Sequence, residues 1–331
     1  MPASNIQGTI HVDRYLTNYS VTYMQSKASF IAGRAASLIR VNNQSDKFVV
    51  YDRGYFWRDE MRPRALGGRP EQVGYKVGEG TYSAVEWAAE HVVDDRQRAN
   101  TDAPINLDQN ATRLLTDKAM IRADRIWATN FFTTGIWTTT RTGVGSTPGA
   151  NQFLKFNDAN SDPILVIDEY KDTMHQLTGF MPNVLVLGTN VRRELRSHPD
   201  IADRIKYVGI GLADEAKLQE LFDIPTVVTA RSIYNASDEG VADSFQYIVD
   251  AQSAWLGYIE PSPGLDSPTA IANFAWQGLV AGQTNDFGGV ITRGREPRAY
   301  SDWFHNRMAF DLKVVAADLG VFLKDAVSSD A

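Results

Sequence analysis

The side chains best suited to chemistry lie between positions 86 and 95: Glu86, Glu90, His91, Asp94 and Asp95. Read as a helix, this stretch sets His91 and Asp94 at i, i+3, a spacing that can hold a metal, with Glu90 beside them. Nothing elsewhere in the chain completes a ligand set, so a solvated acidic face is the preferred reading. The glycine-rich run Gly143-Val144-Gly145-Ser146-Thr147-Pro148-Gly149 lacks the Lys-Ser/Thr ending of a phosphate-binding loop. It also misses the Gly-X-Ser-X-Gly spacing of a nucleophile elbow. Gly78-Glu79-Gly80 carries only part of a dinucleotide fingerprint. His11, His175, His198 and His305 form no recognisable nucleophile–base pattern in local sequence. Asp94 and Asp168 are the carboxylates a cytosolic α/β enzyme would use, tuned by burial or a metal, but no motif places a substrate. No catalytic, cofactor-binding or metal-ligating residue is assigned, and no cofactor is expected.

Bulk properties narrow the classes. At 331 residues the chain exceeds the size at which one core stops growing, so two lobes are expected. With no cysteine it has neither disulfides nor a thiolate metal site, which fits a reducing cytoplasm. The formal charge of -7 argues against strong non-specific gripping of nucleic acid, which rests on clustered Lys and Arg. The first residues carry no basic segment followed by an apolar run, so no signal peptide is expected. No apolar run approaches the roughly 20 residues of a membrane helix. The Asn-X-Ser/Thr triplets at Asn18, Asn43, Asn110 and Asn235 are accordingly read as chance.

The elements follow from periodicity. Residues 1–45 lack a sustained period and read as an extended arm, with a short helix at Ile31–Ile39. Residues 105–134 form the clearest helix, capped by Asn106 or Asp108 and closed by Gly135. Ala111, Leu114, Leu115, Ile121, Ala128 and Phe132 lie near one stripe, and Arg113, Asp117, Lys118 and Asp124 lie mainly elsewhere. Thr138–Asn157 reads as a loop or loose hairpin, and Asp162–Leu177 as a helix with Pro163 in its first turn. Val184–Leu187 is a buried strand leading to a helix capped by Thr189 or Asn190 and broken at His198-Pro199. Asp214–Phe222 is an amphipathic helix, and Ile224–Val228 another buried strand. Gln246–Glu260 reads as a strand pair around Asp250-Ala251, Gly278–Gly289 as turns, and Met308–Val327 as one last long strand.

Residues 46–85 stand apart. Phe48-Val49-Val50-Tyr51 is a strand, and Gln72–Val77 can return as its partner. Between them Arg53, Arg58, Arg62, Arg64 and Arg69 sit among Tyr55, Phe56, Trp57 and Met61. A hairpin this rich in arginine and aromatic rings cannot be its own core, and these residue types dominate interface hot spots. The candidate inter-subunit contacts are therefore Arg53, Tyr55, Phe56, Trp57, Arg58, Arg62, Arg64 and Arg69.

The run PNVLVLGTNVRRELRSHPDIADRIKY (182–207), then LQELFDIPTVVTARSIYN (218–235), resembles the axial domain of tailed-bacteriophage major capsid proteins. The family shares its shell fold with encapsulins and the herpesvirus capsid floor. The likeness continues through Phe245–Trp276 and Arg307–Val327; the order of the motifs carries it. The resemblance implies an α+β phage major capsid fold. Its parts would be an N-terminal arm at 1–45, an extended two-stranded loop at 46–85, a peripheral domain from 86–160 and 300–331 with a spine helix at 105–134, and an axial domain at 161–299. It implies a structural, non-enzymatic protein that assembles as pentamers and hexamers into an icosahedral shell enclosing double-stranded DNA. The protein would be built in the host cytoplasm and end in the virion. Its partners would be copies of itself, scaffolding, portal and decoration proteins, and packaged DNA touched weakly, with no membrane. An encapsulin-like compartment is the alternative with the same fold; a cytosolic α/β enzyme is the alternative from a different class.

Overall fold

A computed structural model describes residues 25–101, 105–206, 214–264, 267–279, 287 and 289–328. Most of the expected arm, residues 1–24, and most of the turn-rich stretch at 278–289 lie outside the described residues.

Two sheets dominate. The larger has six strands in the order β6-β5-β15-β11-β7-β8: Gln152–Leu154, Thr139–Val144, Gly320–Lys324, Ala254–Gly257, Val184–Leu187 and Thr226–Thr229. β5 and β15 are parallel, as are β7 and β8, while β11 runs antiparallel to both β15 and β7. The sheet is covered on both faces, and alternation along each strand divides its side chains between two cores. Val184, Val186, Trp255 and Phe322 enter one; Leu185, Leu187, Leu256, Val321 and Leu323 enter the other.

The second core packs against helices α4 (Pro163–Thr178), α5 (Thr189–Ser197), α6 (Pro199–Lys206) and α7 (Glu215–Phe222). Asp162 caps α4 through the Ile164 and Leu165 N–H groups, Pro163 fills its first position, and Gly179 closes it in the left-handed region at φ 71°. The cap of α5 is Gly188, not Thr189 or Asn190. A Cβ there would meet the Ala251 carbonyl oxygen at 2.4 Å, so the strand-to-helix turn passes too close to backbone for a capping side chain. His198 ends α5 and is buried, its Nε2 3.1 Å from the Ser161 hydroxyl.

The other sheet has five strands. β14 (Ser301–Val314) is the common member, pairing with β13 (Val290–Glu296), with β4 (Val85–Asp94) and, near its end, with β12 (Ile271–Trp276). β1 (Ser37–Val41) adds to β12 in parallel. Against this sheet lies α3, Leu107–Phe131, 25 residues long, capped by the Asn106 side chain on the Gln109 N–H. At 1.5 Å per residue it is a rod of about 37 Å. Asn306 of β14 donates to the Leu115 carbonyl oxygen, tying sheet to rod. Trp127 and Phe131 of α3 meet Trp255, Trp137 and Phe322 in the first core, which cements the two layers.

Several expectations are corrected. Residues 31–39 are not a helix: a turn precedes β1. The Ile31 and Ala32 N–H groups donate to Asp124 of α3 at 3.0 and 2.8 Å, so a long-range acceptor replaces the helical one. Asp124 itself is buried, not on a wet face, and also accepts from the Ser232 hydroxyl at 2.8 Å. Burial pushes its carboxyl up to about 6 despite these donors. Leu114, expected on the apolar stripe, is 44% exposed. Residues 138–157 hold two strands, β5 and β6. β10 (Phe245–Tyr247) and β11 do not pair with each other: β10 joins β9 (Ile233–Asn235), and β11 is central to the six-stranded sheet. The long strand expected over 308–327 is two strands, β14 and β15, in different sheets, with a turn at Ala317–Leu319 between them. Sheet membership therefore crosses the expected sequence division. Residues 139–154 and 320–324 sit with the α4–α7 layer, and residues 271–276 and 290–296 sit with α3. Alternation marks a strand but does not name its neighbours.

At one end of the five-stranded sheet Asp302 sits among three arginines: Arg293 at 2.6 Å, Arg98 at 3.0 Å and Arg295 at 3.1 Å. Asp108, in the first turn of α3, accepts from Arg98 and Arg293, and Asp95 pairs with Arg295. Hydrogen bonds from Arg293 and Arg295 hold the Asp302 carboxyl down at about 2.

Candidate assembly surface

The stretch from 45 to 83 is a two-stranded ribbon. β2 (Ser45–Tyr51) pairs antiparallel with β3 (Val77–Ser83), in register from Ser45 opposite Ser83 to Tyr51 opposite Val77. Its root is fixed to the five-stranded sheet. The Phe274 ring of β12 stacks on Tyr82 at 4.5 Å and on Phe48 at 5.2 Å. Gly80 leaves the space the Phe48 ring occupies, since a Cβ there would fall 2.2 Å from it.

Beyond the strands the ribbon carries a short helix, α1 (Arg53–Phe56), capped by Asp52 on the Gly54 N–H at 2.9 Å. Tyr51, Phe56 and Tyr75 form a triangle of rings with centroids 5.5 to 5.8 Å apart. Arg58 lies over the Tyr55 ring at 4.6 Å and Lys76 near it at 5.7 Å. Two contacts return the tip to the body. Arg53 pairs with Asp318 at 2.6 Å, and the Trp57 ring lies over Gly179 at the end of α4, where a Cβ would meet it at 3.2 Å. Even so, Phe56 is 57% and Trp57 54% exposed. Residues 61–70 follow, exposed except for half-buried Gly68, with Met61 and Leu66 almost fully exposed. An open groove of about 430 Å³ is lined by Tyr55, Asp59, Glu60, Arg62, Glu71 and Lys76 among others.

Of the expected contact residues, Arg53, Tyr55, Phe56, Trp57 and Arg58 come together on and beside α1. Arg62, Arg64 and Arg69 are strung along the exposed outer segment. Sequence reasoning missed the part that Tyr51 and Tyr75 play in the ring cluster. Their positions at the ends of the two strand signals, facing the Tyr-Phe-Trp run, are the clue that would have found them.

The acidic stretch of the metal-site hypothesis is not a helix; it is strand β4. On a strand, residues at i and i+3 point to opposite faces, so His91 and Asp94 diverge. Glu86 and Glu90 reach across to Arg307 and His305 of β14, and Asp94 caps the following turn, α2 (Asp95–Ala99). Among the described residues no group of three or more His, Asp or Glu could hold a metal, and no helix is long and apolar enough to cross a membrane.

No family profile matches the chain. It is 25% identical over 229 residues to the major capsid protein of Burkholderia phage BcepMu, covering 67% of this chain and 70% of that one. Among solved structures, a phage-related protein of Bordetella bronchiseptica superposes with a TM-score of 0.68 at 18% identity, over 92% of this chain and 94% of the other. The capsid of cyanophage P-SCSP1u gives 0.60 at 8% identity, over 96% and 94%. The SrpI encapsulin of Synechococcus elongatus gives 0.52 at 11% identity, over 95% and 95%. The chain is thus similar in sequence to a phage major capsid protein and has the mixed helix-and-sheet shell fold seen in phage capsids and encapsulins.

Proposed function

We propose that the chain is the tile of an icosahedral phage shell, and that its ribbon at 45–83 clasps the neighbouring subunit. One observation supports this above others. The two cores are closed, yet an ordered ribbon presents Phe56, Trp57, Met61 and Leu66 to solvent among five arginines. Exposed aromatic and arginine side chains on a fixed scaffold are what a hot spot requires before its partner arrives. Arg53, Tyr55, Phe56, Trp57, Arg58, Arg62, Arg64 and Arg69 are assigned to that contact.

In this reading the five-stranded sheet with α3 is the peripheral domain and the six-stranded sheet with α4–α7 is the axial domain. The subunit forms hexamers and pentamers in the host cytoplasm, encloses double-stranded DNA, and works with scaffolding, portal and decoration proteins. It is a structural protein and not an enzyme. A contact made by one surface on a different surface of the next copy closes into rings.

The test is direct. The purified protein is expected to elute near the void volume and to show closed shells in negative stain. The double variant Arg58→Glu, Trp57→Ala is expected to keep its circular-dichroism spectrum and to form no shells. Normal particles from that variant would remove the ribbon from the mechanism. The encapsulin-like alternative has its own support in the SrpI superposition. Nuclease-resistant DNA inside particles from infected cells favours the phage shell; enclosed protein cargo favours the compartment.

A further inference from the structure

A second hairpin lies apart from both sheets: β9 and β10, joined by residues 236–244. Its base is held to the body. Arg125 of α3 lies over the Tyr234 ring at 4.6 Å, and the Gln25 side chain bonds both the Ile233 N–H and its carbonyl oxygen. The tip is built, not loose. The Asn235 side chain accepts from the Ser237 and Ser244 N–H groups at 3.1 and 3.0 Å and donates to Asp243 at 2.7 Å, and Gly240 turns at φ 91°. Yet every residue from 238 to 247 is exposed, including Val241, Phe245 and Tyr247. The segment carries Asp238, Glu239 and Asp243 and no cation.

The outer segment of the ribbon, residues 61–70, is its complement. It carries Arg62, Arg64 and Arg69 and no carboxylate, with Met61 exposed beside Arg62 and Leu66 exposed between Arg64 and Arg69. The ion pairs of the ribbon tip stop at Arg53 and Arg58; among the described residues none reaches Arg62, Arg64 or Arg69, and none reaches Asp238 or Glu239. Within 61–70 every charge is positive, with Asp59, Glu60 and Glu71 just outside it, and within 236–247 every charge is negative; each segment also exposes apolar side chains. The two rest on different elements. The ribbon tip lies against Gly179 and Asp318, and the hairpin is held by α3.

We infer that the acidic hairpin 236–247 is the receptor on one subunit for the basic ribbon segment 61–70 of a second copy of this chain. This rests on the shell reading above and supplies the surface that the ribbon grips. Opposed charge fixes register and suppresses wrong pairings, while the apolar centres supply the desolvated contact. Because donor and receptor surfaces lie at different places on one chain, the contact is heterologous and propagates head to tail.

Charge exchange tests it. Arg62→Glu, Arg64→Glu, Arg69→Glu together, and Asp238→Lys, Glu239→Lys together, are each expected to abolish shells while leaving thermal unfolding of the subunit in place. The combined five-substitution chain, in which the reversed hairpin positions 238 and 239 again oppose the reversed ribbon and only Asp243 keeps its sign, is expected to recover shells. The milder single reversals Arg64→Glu and Glu239→Lys, and their combination, repeat the test should a heavier variant fail to fold. Shells from the hairpin-reversed chain, or no recovery in either combined chain, overturn the pairing. A basic segment needed while the hairpin is dispensable means its occupant is another surface or nucleic acid, which also overturns it. Absence of shells from the unaltered chain is a separate result and removes the shell reading itself.

Discussion

Two clusters of aromatic rings in this chain use the same chemistry to opposite ends. Trp127, Trp137, Trp255, Phe131, Phe132 and Phe322 are buried where α3 meets the six-stranded sheet, with ring centroids 5.1 to 6.2 Å apart. Tyr51, Phe56 and Tyr75 sit at similar spacing on the ribbon and remain exposed. Ring packing alone does not tell a core from an interface. What separates them is cover: the first cluster is enclosed by two layers of its own chain, and the second is left open by its own chain, where the proposed shell would set a neighbouring subunit.

The contrast can be broken by substitution. Trp255→Ala opens a large cavity between the layers and should cost the subunit about 3–5 kcal/mol, read by chemical denaturation. Next in size is Asp124. Its folded carboxyl, raised to about 6 by burial, binds a proton more tightly than the unfolded one at 3.8. Its contribution to stability is therefore greatest below pH 4 and falls as pH rises through 6, by up to about 3 kcal/mol. Asp124→Asn keeps an acceptor for the Ile31 and Ala32 N–H groups and should flatten that slope in melts between pH 4 and 7. Asp302 runs the other way. Its carboxyl is lowered to about 2, so its contribution is present above pH 4 and is lost as pH falls toward 2. Asp302→Asn should shallow the acid limb of the stability profile, and the effect should shrink in high salt. Smallest for the fold is Phe56→Ala, expected to shift subunit stability by no more than about 0.5 kcal/mol. The same substitution should nevertheless deplete shells in negative stain. If it unfolds the subunit instead, the ribbon's ring cluster belongs with the core and the two clusters do not differ.

What the sequence disclosed depended on how local each signal was. α4 announces itself through Asp162, Pro163 and Gly179, and α7 through Asp214, because caps and first-turn prolines act within a few residues. The ribbon was legible by composition, since Tyr55-Phe56-Trp57 among arginines has no core within reach. β4 was misread because Glu86, Glu90 and Asp94 recur every four residues, imitating a helix face; their partners on β14 lie more than 200 positions away. Asp124 looked like one more surface charge for the same reason: its donors, Ile31, Ala32 and Ser232, are about 90 to 110 residues distant. The tip's return to Gly179 and Asp318 left no trace in the sequence, because a glycine after a helix already has a sufficient local explanation.

The place of β15 carries a consequence for synthesis. Residues 320–324 lie mid-sheet, flanked by β5 and β11, whose own residues are made some 180 and 65 positions earlier. While the ribosome is still short of residue 320, those two neighbours face an unfilled slot, and the layer stays in two halves. Stalled nascent chains ending before Gly320 should be cut readily by protease, and chains extended past Lys324 and clear of the exit tunnel should resist.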